Sequence, residues 1–295
     1  MKLVLQLSLV LTVAFSAMTY AQTYEGIATY KTQRKMDVQL DSSQVDDGMR
    51  DQIMAMMKKQ FEKEYTLKFT QDESLYTEVE KLDNPGGAMG NGMVFEVQIV
   101  GDGAGDVLYK NTKEDRFVNQ NESFSKQFLI KDKIEARAWK MEKETKNIGD
   151  YACFKATYTY ERPVRRVMSF STSNDKEEKE DKKDTKEEPV EEMETITVTA
   201  WYTPQIPVKN GPSQYDGLPG LILELNDGDL TVLCSKVVLN PKDDLNIKEP
   251  KGGKVVTQEK FDEIMEKKVQ EMQERFESDG RRGSDNGNFE IRIGG

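Results

Sequence analysis

Apolar and polar residues alternate with a period of two along much of this chain. In Thr195–Tyr202, TITVTAWY, the residues Ile196, Val198, Ala200 and Tyr202 share one face, the pattern of a half-buried β-strand. Tyr151–Tyr160, YACFKATYTY, is rich in aromatic and β-branched residues and reads as its partner. Further strands are predicted at Tyr24–Lys31, Tyr65–Thr70, Leu75–Val79, Val94–Val100, Val107–Lys110, Phe124–Lys131 and Ala138–Lys143. Leu221–Leu225 and Leu230–Leu239 flank Asn226-Asp227-Gly228-Asp229. An Asp-Gly step between two apolar runs is a strong hairpin signal.

Two stretches change to helical spacing. Gln44–Glu64 brings Val45, Met49, Ile53, Met56, Met57, Gln60 and Phe61 to one side, with Ser42 or Ser43 able to cap its start. Thr257–Phe276 does the same with Phe261, Ile264, Met265, Val269, Met272 and Phe276. The expected fold is therefore mainly β, of the α+β class. It is a curved antiparallel sheet or open half-barrel with two amphipathic helices packed on it. No repeat of 20–50 residues is visible, which argues against propellers and solenoids.

The first residues add a targeting signal to this picture. A basic start at Lys2, an apolar run over Leu3–Ala17 and the small-residue site Thr19-Tyr20-Ala21 have the anatomy of a secretory signal peptide. The run is shorter than the roughly 20 apolar residues of a spanning helix. The expectation is an exported chain, periplasmic or secreted, cut after Ala21 and soluble from Gln22 onward. Residues 22–295 would form one β-rich domain with no integral membrane segment. Without the signal the chain has 41 basic and 53 acidic residues. That balance argues against nucleic acid as a partner, since phosphate neutralisation needs basic patches.

Much of the acidity is concentrated. Asp175–Glu194 holds 11 acidic residues and 5 lysines, with one valine, one methionine and no aromatic residue. Such a segment cannot bury enough apolar surface to offset the entropy of ordering. It reads as a disordered insert near 172–194, looping between the strands on either side. Residues near 279–295 read as a flexible tail.

The catalogue of chemistry is short. The chain contains no histidine, which excludes Ser-His-Asp and Cys-His catalysis and histidine metal sites. Pro85–Asp106 is glycine-rich but has neither the Lys-Ser/Thr ending of a phosphate loop nor dinucleotide-loop spacing. Asp279–Glu290 loosely follows a calcium loop, but Arg281, Gly283 and Ser284 stand where ligands and the turn glycine belong. No catalytic residue, cofactor or metal site emerges. Cys153 and Cys234 both fall in predicted strands. They form either a disulfide, which an oxidising compartment favours, or two separate buried thiols.

The densest turn chemistry lies in Trp201–Leu225, WYTPQIPVKNGPSQYDGLPGLILEL. Leu218-Pro219-Gly220-Leu221 fits a type II turn, with Gly220 expected at positive φ. Its apolar flanks predict a rigid corner pinned to the core, with an apolar lip beside a ligand groove as the functional alternative. Gly217, Leu218, Pro219, Gly220, Leu221 and Ile222 spell the hexapeptide that names the GLPGLI family. The chain resembles that family, a group of exported proteins of unknown function from Gram-negative bacteria. Trp139-Lys140, Ile148–Ala156, Ala200-Trp201-Tyr202, Ile206-Pro207 and Gly211-Pro212 extend the resemblance. It implies no catalytic residues.

Two function classes follow. One is a non-enzymatic envelope module that binds an apolar ligand or a partner protein. The other is a hydrolase using carboxylates, which requires two of them converging in a cleft.

Overall fold

The computed structural model describes residues 24–34, 48, 62–79, 106–163 and 193–279. Within them the chain builds one open sheet of 12 strands and ends on a helix. The strands are β1 (Gly26–Arg34), β2 (Glu64–Phe69), β3 (Glu73–Glu78), β4 (Val107–Asn111), β5 (Arg116–Ser123) and β6 (Lys126–Lys133). They continue as β7 (Lys140–Ile148), β8 (Tyr151–Pro163), β9 (Met193–Thr203), β10 (Leu221–Asn226), β11 (Leu230–Leu239) and β12 (Lys254–Val256), followed by α1 (Gln258–Asp279). Their order across the sheet is β12-β6-β5-β4-β3-β2-β1-β11-β10-β9-β8-β7. Neighbours are antiparallel except β12, which runs parallel to β6. Sequential hairpins account for most of the pairings. The long-range closure is β1 against β11, from Gly26↔Leu239 to Arg34↔Leu230.

Alternation decides which face is buried. Ala28, Tyr30 and Thr32 of β1 point inward with Ile196, Val198, Ala200 and Tyr202 of β9, all within 9% exposure. One continuous apolar cluster spans this face, drawing also on Leu67, Phe69, Tyr76, Leu108, Phe117, Phe128, Ile130 and Leu225. Each fully buried side chain of this size contributes roughly 1.5–3 kcal/mol of transfer free energy. The other face carries a small cluster of Tyr109, Val118 and Leu129 with Leu75 and Ile247.

The helix starts where side chains take up its free amides. Thr257 Oγ1 accepts from the Lys260 amide at 3.3 Å and Asp132 Oδ2 accepts from the Gln258 amide at 3.0 Å. These bonds satisfy donors that a helix cannot pair internally. Phe261 then packs edge-on against Phe128, with ring centroids 5.3 Å apart.

Several expectations change. The first predicted helix lies outside the described residues over 44–61, Gly48 apart. Its end at Glu64 is corrected, because Glu64 opens β2 and pairs with Lys31. The acidic insert lies outside the described residues up to 192. Met193 and Glu194 belong instead to β9, where they pair with Pro163 and Arg162. Asp279 belongs to α1 rather than to a tail, and 280–295 lie outside the described residues. The strand expected at Val94–Val100 and the signal peptide at 1–21 lie outside them too. Phe124 and Ser125 form a turn at φ 52° and 57°, so β6 begins two residues later than predicted. β5 and β12 were not predicted.

Candidate functional site

The 17 residues between β9 and β10 do not loop into solvent. They fold back across the buried face as a strap. Ile206, Val208 and Leu218 are fully buried within the main cluster. The Leu221 amide donates to the Ile206 carbonyl at 2.9 Å, and the Ile222 amide to the Asn210 carbonyl at 3.1 Å. The pairing of β10 with β9 shifts register between Ile222 and Glu224. At this irregularity the buried Tyr30 hydroxyl donates to the Ile222 carbonyl at 2.7 Å, tying the central strand to the start of β10 where the strap ends.

Gly220 corrects the predicted turn. Its φ lies outside the left-handed region, whereas Gly217 sits at φ 87°. Gly220 is needed for proximity: a Cβ there would lie 2.2 Å from the Thr203 carbonyl oxygen. The hexapeptide therefore holds two glycines with two different requirements, one conformational and one steric.

Under the strap sits a buried charged cluster. Lys110 enters from β4 and is 1% exposed, while Asp216, from the strap, is 4% exposed. The Lys110 ammonium donates to the Tyr215 carbonyl at 3.1 Å and the Gly211 carbonyl at 3.3 Å. It lies 3.8 Å from Asp216 Oδ2. Arg137 donates to Asp216 Oδ1 at 3.2 Å and stacks over the Tyr215 ring, 5.1 Å from its centroid. The Trp139 indole donates to the Asp216 carbonyl at 2.9 Å. Burial pushes the Lys110 ammonium down to about 8, Arg137 adds to that, and Asp216 opposes it. Burial also raises the Asp216 carboxyl, against the pull of Lys110 and Arg137.

This cluster joins the strap to β4 and to the segment before β7, so its first consequence is mechanical. A lysine near neutral pKa is chemically able to act as base or nucleophile. Here it is enclosed by the strap. Among the described residues Asp216 is the one fully buried carboxylate. Among the described residues no group of acidic or cysteine side chains has metal-binding geometry.

Cys153 and Cys234 are buried and unbridged. Burial pushes Cys234 up to about 11 and raises Cys153.

Two surface features remain. On the face opposite the strap, an open cavity of about 660 Å³ is lined by Glu73, Tyr109, Ile247, Lys248, Glu249 and Lys251. Four of its six lining residues are charged, and Glu249 bonds Arg116 and Lys131 at 2.9 Å each. The second feature is a lip at the β7 edge of the sheet. Met141 is 52% and Phe154 38% exposed. Both meet Tyr202, whose hydroxyl donates to Met141 Sδ at 3.4 Å and whose ring lies 6.2 Å from that of Phe154.

The sequence reading located the hexapeptide and the cysteines but missed Lys110, Arg137 and Asp216. One signal was available. Lys110 stands two residues after Leu108, in the inward phase of a strand, where a charge needs a buried partner.

A model of a protein family of unknown function, Porph_ging, matches residues 139–224. The match begins at Trp139 and contains the whole strap and the hexapeptide. No curated protein matches the chain. Two solved structures of PNGF-II, in space groups C2 and P21, are similar at 13% identity over 82% of this chain. Their TM-scores are 0.43 and 0.44. This chain spans about a third of their length, 32% and 33%.

Proposed function

We propose that this protein is an exported, non-enzymatic module of the cell envelope that binds an apolar ligand or a partner protein at the lip of Met141, Phe154 and Tyr202. The observation that carries the reading is the exposure of Met141 and Phe154, side by side with Tyr202, next to an unpaired strand edge. Large apolar side chains grouped on a surface mark interaction sites. Among the described residues β7 pairs with β8 alone, so its outer edge offers backbone N–H and C=O groups to a partner's strand. Lys140, Glu142, Lys143, Glu144 and Lys146 along β7 protect that edge from indiscriminate pairing. An extended partner segment uses both the free backbone and the apolar side chains, whereas a small ligand uses only the latter.

The strap supports the same reading from the other side. It fills the buried face with Ile206, Val208 and Leu218, leaving the lip as an apolar surface still available. The GLPGLI hexapeptide then serves as architecture. Export rests on the N-terminal signal. Purified envelope protein should have the intact mass of a chain starting at Gln22.

The test is a photo-crosslinking residue at Lys143 in the full chain, with and without Met141→Asp and Phe154→Asp. A discrete adduct that disappears in the double variant, with the circular dichroism of the fold retained, supports the reading. Turnover of an ester, glycan or peptide that vanishes in Asp216→Asn overturns it and establishes an enzyme.

A further inference from the structure

The 14 residues between β11 and β12 reach the face opposite the strap and are anchored there at alternate positions. Leu245 is 6% exposed, and Ile247 packs with Tyr109, Val118 and Leu129. Glu249 accepts from Arg116 of β5 and from Lys131 of β6 at 2.9 Å each. The loop is therefore held in shape before anything binds, which lowers the cost of ordering a site. It supplies Ile247, Lys248, Glu249 and Lys251 to the cavity of about 660 Å³, and the sheet supplies Glu73 and Tyr109. This cavity lies in the half of the strand order away from the β7 lip.

What its wall can offer a ligand depends on which charges are already satisfied. Glu249 has two cationic partners. Glu73 accepts from the Tyr109 hydroxyl. Burial pushes Tyr109 up to about 12, with the bond to Glu73 adding to it, so this hydroxyl stays a donor at neutral pH. Arg116 also bonds Glu114 and lies over the Tyr109 ring, 5.5 Å from its centroid. Among the described residues, Lys248 and Lys251 have no such partner. With Arg116 and Lys131, four cations meet the three carboxylates Glu73, Glu114 and Glu249, on a chain of net charge −11. A cation is repelled by the two lysines, and the carboxylates that could hold it are occupied. An anion gains from both ammonium groups. The volume exceeds what a bare inorganic ion fills and falls within the range of small-molecule sites. Ile247 gives such a molecule an apolar contact. We infer that this cavity binds a small organic anion with more than one negative charge, a phosphate ester or a polycarboxylate, whose anionic oxygens accept from Lys248 and Lys251.

Titration of the purified protein with citrate and with glucose 6-phosphate, at constant ionic strength, tests the inference. The readout is the Ile247 δ-methyl resonance, which Ile247→Val identifies, and glucose is the neutral control. At least one anion should shift that methyl saturably, while glucose leaves it in place. The anion bound more tightly assigns the recognised group as phosphate ester or polycarboxylate. Lys248→Gln and Lys251→Gln should each raise the dissociation constant about threefold, and together about tenfold, the scale of exposed charge pairs. Lys242→Gln, outside the cavity, should leave it unchanged. All three lysines are exposed, so these variants keep the fold. No shift with either anion, an equal shift with glucose, or undiminished binding in the double variant overturns the inference.

Discussion

Gly220 lies so close to Thr203 that the two backbones meet with no room for a side chain between them. A Cβ on Gly220 would fall 2.2 Å from the Thr203 carbonyl oxygen, 2.5 Å from its carbonyl carbon and 2.9 Å from the Pro204 nitrogen. All three atoms are backbone, so relief requires moving β9 or the strap. Gly220→Ala is expected to destabilise by about 3 kcal/mol, the upper range for forced overpacking. Gly217→Ala should cost only about 1 kcal/mol. Its φ of 87° is strained for alanine, but its nearest neighbour, Trp139 Nε1, is 3.8 Å away. Urea unfolding of both variants decides the order. Equal losses would show that β9 or the strap yields to the added methyl group at little cost.

Lys110 gives stability a specific pH dependence. Its ammonium titrates near 8 in the fold, against an ordinary value of 10.5. Between these values the unfolded chain holds the proton more tightly than the native one, so this group makes stability rise with pH across about pH 8–10.5. Tyr109, pushed up to about 12 by burial, and Cys234 act in the opposite sense above their ordinary values. Comparison with Lys110→Met isolates the lysine. The difference in urea midpoint between wild type and variant should change steadily over that window and be flat below pH 7. A difference independent of pH throughout would mean that Lys110 keeps its ordinary pKa and is hydrated.

The same residues show how far the sequence is legible. β9 could be read directly, because Ile196, Val198, Ala200 and Tyr202 alternate without interruption and all point into the core. β5 could not. Its inward positions include Asn119 and Asn121, and Asn121 is buried through a bond to Asp106 at 2.8 Å rather than through apolar contact. A pattern rule built on hydrophobicity discards such a strand. β12 has three residues and exists through its parallel pairing with β6, which is a tertiary event. The corner at Gly217–Ile222 was visible from its turn residues. The steric need at Gly220 was not, because it comes from a strand arriving from earlier in the chain. Arg137 and Asp216 are 79 positions apart, and no local pattern joins them.

The boundary of the acidic insert is testable by deletion. Arg162 at the end of β8 bonds Glu194 at 2.6 Å and Asp229 at 2.5 Å, holding the β8–β9 hairpin to the β10–β11 turn. Removing 175–192 with a short Gly-Ser bridge should leave stability within about 1 kcal/mol, because surface-loop length has a small entropic effect. Extending the deletion through Glu194 removes one Arg162 partner and two β9 positions. It should cost a further ~1 kcal/mol, as expected for a partly exposed ion pair and frayed strand end. A large loss from the shorter deletion would show that the insert packs on the domain.

The two cysteines provide the last test, because their chemistry differs between the alternatives. Cys153 is fully buried and Cys234 is 9% exposed, within one apolar cluster. Cys153 Sγ contacts the Tyr151 carbonyl at 3.5 Å, and Cys234 Sγ the Lys236 carbonyl at 3.4 Å, so each thiol has a local acceptor. Burial raises both thiols, Cys234 to about 11. The reactive thiolate is then a small fraction at neutral pH, and attack on a disulfide reagent requires exposure as well. Native protein should therefore react slowly with an aromatic disulfide reagent at pH 7.5, and both thiols should react at once in denaturant. Intact mass of protein purified from the envelope without reductant should correspond to two free thiols. A mass two hydrogens lower, restored by reduction, would establish a bridge between Cys153 and Cys234.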